Sequence, residues 1–138
     1  MEENKIGVRK SLLARCLAHA RATLQDHPQL EAFPHWSFFI RNNEILTIGL
    51  NRLMEPPKKF GYHARYVDPK FRPKLHSELD ALRNYKRGLH NLNVVNIRLN
   101  REGQTRLSIP CQPCRNLLIN VLEVDRIYFT TEEGWGSL

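Results

Sequence analysis

Four side chains in this sequence could do chemistry together. His76 and Glu78 sit in Lys74-Leu75-His76-Ser77-Glu78-Leu79, and Cys111 and Cys114 in Ile109-Pro110-Cys111-Gln112-Pro113-Cys114. An imidazole and two thiolates are zinc ligands, but they are one short of the set that closes a structural zinc; a catalytic zinc keeps three protein ligands and leaves the fourth position to water. His76, Cys111 and Cys114 are therefore expected to hold one zinc ion per chain, with Glu78 a free carboxylate beside it. Such a site acidifies water toward neutral pH, and a neighbouring carboxylate can take that proton and deliver it elsewhere. A closed structural site would need a fourth ligand, Cys16 or His63. The chain would then be a non-catalytic, zinc-stabilised nucleic-acid-binding module, and Glu78 would have no purpose.

These groups must be carried by elements that aim them at one point. Leu75, Leu79 and Leu82 recur at helical spacing over 75–86, just after Pro73, which puts His76 and Glu78 in the first turn of a helix. Pro110 pre-sets a second helix start. Leu117, Leu118, Val121 and Leu122 continue an apolar stripe from Cys111 and Cys114, which share one face of its first turn. A helix N-terminus favours thiolate, the form that binds metal. Between the two helices, residues 92–99 alternate as a strand, with Val95, Ile97 and Leu99 on one side and Val94, Asn96 and Arg98 on the other. The strand ends in the turn Asn100-Arg101-Glu102-Gly103.

Upstream, Val8, Leu12, Leu13, Cys16, Leu17, Ala20 and Leu24 form the apolar face of a helix over 5–25, with Asn4 as cap and Pro28 past the exit; Cys16 there reads as a core thiol. Residues 36–40 and 44–50 read as a hairpin around Arg41-Asn42-Asn43. Residues 126–131 make the last strand, followed by the short tail Glu132-Glu133-Gly134-Trp135-Gly136. The connection 53–74 holds Pro56, Pro57, Pro69 and Pro73, which exclude a regular helix or a central strand. It carries Lys58, Lys59, Arg65, Lys70, Arg72 and Lys74 interleaved with Phe60, Tyr62, Tyr66 and Phe71. That composition suits phosphate pairing and base stacking, or a solvated loop pinned by its aromatic rings.

The order H-x-E then P-C-x-x-C, here His76-Ser77-Glu78 and Pro110-Cys111-Gln112-Pro113-Cys114, resembles the signature of the zinc-dependent cytidine and deoxycytidylate deaminase superfamily. The resemblance extends to the order α-β-β-α-β-α-β over nearly the whole chain. It implies an α/β fold, a cytidine-deaminase-like three-layer α/β/α sandwich with a mixed sheet in a single domain 1–138, lacking the family's last strand and helix. The final strand would then be an open edge for a second subunit or a reordered tail to cover, and a homo-oligomer is expected. The implied reaction is hydrolytic conversion of a cytosine base to uracil. A free cytosine nucleotide such as dCMP is the first substrate class, and cytosine or adenine in single-stranded nucleic acid or transfer RNA is the second. Asn51 matches the family's G-x-N at Gly49-Leu50-Asn51 and is expected to touch sugar or base. Arg52, Ser77 and Pro110 join it as substrate contacts, with Lys58 and Lys59 for the phosphate.

The chain also departs from the family's pattern. Ser77 stands where many relatives carry alanine, Pro113 where the transfer RNA enzymes carry methionine, and the spacer 79–109 is long, an excess that the turn near Gly103 explains. Only His63 is available for a further metal, so no second zinc is expected. Cys111-Gln112-Pro113-Cys114 is also similar to a redox C-x-P-C motif, but that motif follows an early strand and has a proline-bearing loop downstream, whereas no proline follows Pro113 here.

Composition narrows the partners. A chain of 138 residues with 41% hydrophobic and 25% charged residues can bury one core without staples. Its odd cysteine count of 3 argues for free thiols, hence an intracellular and cytoplasmic setting. No apolar run approaches the length of a membrane span, and Met1-Glu2-Glu3-Asn4 lacks the layout of a signal peptide. A net charge of +7 with a pI of about 9.7 favours a phosphate-bearing partner, a nucleotide or a nucleic acid.

Overall fold

The computed structural model describes residues 7–26, 34–52, 75–85, 88 and 90–138. Asn4, Pro28 and the connection 53–74, including Lys58, Lys59 and His63, lie outside the described residues. Helix α1 (Lys10–Asp26) buries Leu12, Leu13, Cys16 and Ala20, the stripe its spacing predicts. It begins at Lys10 rather than at 5 because the preceding backbone is committed elsewhere. The Val8 N–H donates to the Tyr128 hydroxyl (3.1 Å) and the Arg9 N–H to Asn43 Oδ1 (2.8 Å). Strands β1 (His35–Arg41) and β2 (Glu44–Leu50) pair antiparallel. Asn42 and Asn43 between them have φ of 50° and 60°, the left-handed pair that a tight hairpin turn needs and that asparagine tolerates.

Helix α2 (Ser77–Arg83) follows, then β3 (Asn93–Leu99), the two-residue β4 (Thr105–Arg106), α3 (Gln112–Asn116), β5 (Arg126–Thr131) and β6 (Gly134–Ser137). Both later helices are shorter than expected: α2 does not fill 75–86, and after α3 the chain continues over Leu117–Val121 as a wider π-helical turn. The sheet order is β2-β1-β3-β5-β6, with β4 paired to the end of β3; β3 and β5 run parallel and the other pairs antiparallel. Two elements go beyond the sequence reading. The excess between the halves of the motif folds as the β3–β4 hairpin. The terminal tail, given no element from sequence, is β6, with Gly136 opposite Phe129, where a Cβ would stand 2.5 Å from the ring. The β5 edge expected to be open is therefore covered by the chain's own tail, which removes the argument from that edge for a partner subunit.

Helices cover both faces of the sheet. On one, α1 packs Leu12, Leu13, Cys16 and Ala20 against Trp36, Phe38, Ile40, Val95, Ile97 and Leu99. On the other, Ala81 of α2 and Leu118 of the turn after α3 pack over Phe39, Leu92, Val94 and Ile127, while Leu79 and Leu117 meet Leu75 between the helices. Because β3 is covered on both sides, Val94 and Asn96 are as buried as Val95 and Ile97. No helix of the described residues is long and apolar enough to cross a membrane.

Candidate functional site

Gly49 sets how closely α2 lies on the sheet. A Cβ there would stand 2.1 Å from the Ser77 carbonyl oxygen and 2.3 Å from the Ala81 nitrogen, so only glycine lets the helix rest on β2. Leu75 is held extended by two backbone bonds to Arg52 (2.8 and 2.9 Å), which delays the helix by two residues, to Ser77. His76 is consequently the N-cap of α2, in extended conformation, rather than part of its first turn. Cys111 stands in the same relation to α3. Cys114 lies inside the first turn, 3% exposed.

The two helix starts converge. His76 Nδ1 lies 3.4 Å from Cys111 Sγ and 3.4 Å from Cys114 Sγ, and the three ligand atoms fall within 4.8 Å of one another. Zinc bonds of about 2.3 Å to sulfur and about 2.0 Å to nitrogen in a tetrahedron place those atoms about 3.5 Å apart, so the described set fits such an ion with one position over. Without a cation the two sulfurs share a proton unequally. The hydrogen bond from Cys114 draws Cys111 down to about 5 against the cost of its burial, with His76 assisting. The bond to Cys111, burial and the Glu78 charge all push Cys114 upward. Cys16, completely buried against the opposite face, is pushed up to about 12 by desolvation despite Arg15; it is a core thiol, as its place on the apolar stripe predicts.

Glu78 is 5% exposed and borders Cys114. Its Oε2 accepts from Asn96 Nδ2 at 3.0 Å, and its Oε1 lies 3.2 Å from the Ser77 hydroxyl. Ser77 in turn meets Ser37 at 2.7 Å, and Ser37 donates to Asn96 Oδ1 at 2.6 Å. Ser108 ties the segment leading to Pro110 and Cys111 into the sheet through the Asn96 carbonyl (2.8 Å) and Thr130 (2.9 Å). Pro110 is buried immediately ahead of Cys111.

The remaining candidates line the end of β2. Asn51 Oδ1 accepts the His35 N–H at 2.9 Å, fixing the exit of β2 to the start of β1. The Arg52 guanidinium meets Asp80 at 3.2 Å and is about half exposed. Asp80, fully buried, also accepts from Arg83 (2.6 Å) and the Leu50 N–H (2.8 Å). Sequence reasoning missed Asn96, Ser37 and Asp80. One signal was available: Asn96 interrupts an apolar strand, and a buried amide must find partners.

No protein-family model matches the chain, and no curated protein does. Solved structures do. The chain is similar to dCMP deaminase from the cyanophage S-TIM5 in complex with dCMP and dUMP, with a TM-score of 0.59 at 15% identity over 91% of this chain and 85% of that one. It is similar to the apo form of that enzyme, with a TM-score of 0.55 at 15% identity over 90% and 86%. Cytidine deaminase from Mycobacterium leprae gives a TM-score of 0.51 at 17% identity over 95% and 94%. The fold is cytidine-deaminase-like, as the motif order implied, and it carries a His-Cys-Cys cluster of the kind that can hold a metal ion.

Proposed function

We propose that this chain is a zinc-dependent hydrolytic deaminase that converts the cytosine of a free nucleotide such as dCMP to uracil. One observation carries the reading: the imidazole lies 3.4 Å from both sulfurs, with a buried carboxylate beside them. In this reading His76, Cys111 and Cys114 hold the ion, and Glu78 stays off it. When bound, zinc would supply the Lewis acid that makes water nucleophilic near neutral pH. Glu78 takes the proton of the attacking water and hands protons to the ring nitrogen and to the departing amine. The C4–N bond breaks, the carbon keeps the oxygen and ammonia leaves. The backbone of Leu50, Asn51 and Arg52 is braced by His35, Asp80 and Leu75, so a sugar or base reaching it meets a fixed edge.

A phosphate on the substrate is supported by charge placement. His35 lies opposite Arg98, and Arg98 opposite Arg106, so the three form one cross-strand row. Directly opposite residues share a face, and Arg98 follows Asn96 by two positions. The row therefore lies about 7 Å further along the face that carries Asn96. The overall charge of +7 and the lysines at 58 and 59 point the same way, as does the likeness to an enzyme that binds dCMP. The same cations suit a polynucleotide, which is the second reading.

Ammonia release from dCMP, CMP, cytidine, dCTP and a cytosine-bearing single-stranded oligonucleotide tests it. The zinc-loaded protein should turn over a monophosphate fastest. Turnover of the oligonucleotide alone, with steep loss on adding salt, would transfer the activity to nucleic acid. Turnover of none would remove the deaminase reading.

A further inference from the structure

We infer that Asn96 is the positioning residue for Glu78, anchoring one carboxylate oxygen, Oε2, and leaving the other, Oε1, as the one that carries the proton. The inference rests on the deaminase reading and adds to it a residue outside the motif. Asn96 lies in the middle of β3 and is 3% exposed. Its Nδ2 donates to Glu78 Oε2 at 3.0 Å and points its other hydrogen toward the Ser108 carbonyl at 3.4 Å, while its Oδ1 receives the Ser37 hydroxyl at 2.6 Å. Every polar atom of the amide is thus engaged. Reversing it would set Oδ1 against two acceptors, the carboxylate and the carbonyl, so the surroundings fix which end faces Glu78.

Counting hydroxyl protons then separates the two carboxylate oxygens. Ser37 has one hydrogen, and at 2.6 Å its bond to Asn96 Oδ1 claims it. The Ser37 to Ser77 contact of 2.7 Å is too short to lack a hydrogen, so Ser77 must supply its own there. Nothing remains for the longer 3.2 Å approach of Ser77 to Glu78 Oε1. The chain runs one way, from Ser77 to Ser37 to Asn96 to Glu78 Oε2. Oε2 is held by a neutral donor that cannot give up its proton, and no hydroxyl holds Oε1, which is left facing the sulfur side of the site. A proton shuttle needs that fixed aim, since misplacement by about 1 Å can cost on the order of 100-fold in rate.

The test compares zinc-loaded parent, Asn96→Asp and Ser37→Ala, using dCMP as probe, with zinc content, melting temperature and crystal structures measured on each. Asn96→Asp keeps the shape and replaces the donor by an acceptor. Glu78 should swing away from position 96, zinc should stay near one per chain, and kcat should fall about 100-fold with KM within about threefold. Ser37→Ala takes the donor from Asn96 Oδ1 and releases the Ser77 hydrogen to turn toward Oε1, and it should give a smaller loss of the same kind, which reads the inference even if Asn96→Asp does not fold. A purely structural role would lower the melting temperature while the folded, zinc-loaded protein kept the parent kcat and an unmoved Glu78; that result overturns the inference. Activity in the parent with no loss in either variant overturns the inference alone. A parent inert toward every cytosine substrate overturns the deaminase reading and, with it, the proton-carrying role of Oε1.

Discussion

The two faces of one sheet have been put to opposite uses by the same strands. Along β1, Trp36, Phe38 and Ile40 face α1, while Ser37 turns to the other side; along β3, Val95 and Ile97 face α1 while Asn96 turns away. The α1 face is mainly apolar. The α2 and α3 face buries Ser37, Ser77, Glu78, Asn96 and Ser108 in one hydrogen-bonded set. Cysteine shows the difference most sharply. Under α1, Cys16 packs among apolar side chains, and burial holds it as a thiol against the pull of the Arg15 charge. Under the other helices, Cys111 meets a second sulfur and an imidazole, and it is drawn toward thiolate. The ionisation of each cysteine here follows from what the buried sulfur is given to bond with, since a buried polar group without partners is disfavoured in its charged form.

From that contrast, changes on the polar face should remove function and changes on the apolar face should remove only stability. The largest effect is expected from Cys111→Ser and Cys114→Ser. Either should abolish tight zinc binding and reduce turnover to background, as read by elemental analysis and ammonia release. Both variants retaining one zinc per chain would break the metal site. Next comes Glu78→Gln, which keeps the shape and loses the basic oxygen. Turnover should fall by roughly 10³ to 10⁴, while zinc content and melting temperature stay near the parent's. A variant deaminating at the parent's rate would remove the mechanism while leaving every ligand in place.

Thiol reactivity sharpens the same comparison without any substrate. In metal-free protein, Cys111, drawn down to about 5, should be ionised at pH 7. A lowered value means that the anion persists above it, so iodoacetamide labelling should be nearly flat from pH 8 to about 6 and fall as pH drops through about 5. Cys16, pushed up to about 12, should stay protonated over that whole range and label at least about 100-fold more slowly, as mapped by mass spectrometry. Equal labelling of the two would erase the distinction. The smallest expected change is Gly49→Ala, whose Cβ would enter the Ser77 backbone. Overpacking of this kind costs about 1–3 kcal/mol, visible as a lower urea midpoint, and it should loosen zinc by lifting His76 off its line with the sulfurs. An unchanged midpoint would mean that α2 does not press on β2.

Spacing alone determined several of the elements and which three ligand-type residues would come together. Period-2 and period-3.6 patterns give α1, the hairpin, β3 and β5, because apolar residues must fall on whichever face is covered. Three ligand-type residues beside two helix starts predict that His76, Cys111 and Cys114 meet. What the sequence left open was decided by contacts between distant segments. The late start of α1 follows from Tyr128 and Asn43 taking its backbone donors, and the placing of His76 as a cap from the Leu75 bridge to Arg52. The tail becomes β6 because β5 offers it an unpaired edge. Asn96 was legible only as an odd residue in an apolar strand. That it reaches Glu78 depends on β1, β3 and α2 being stacked at one point, since a hydrogen bond requires a particular atom at about 3 Å and periodicity fixes only which face a side chain leaves by.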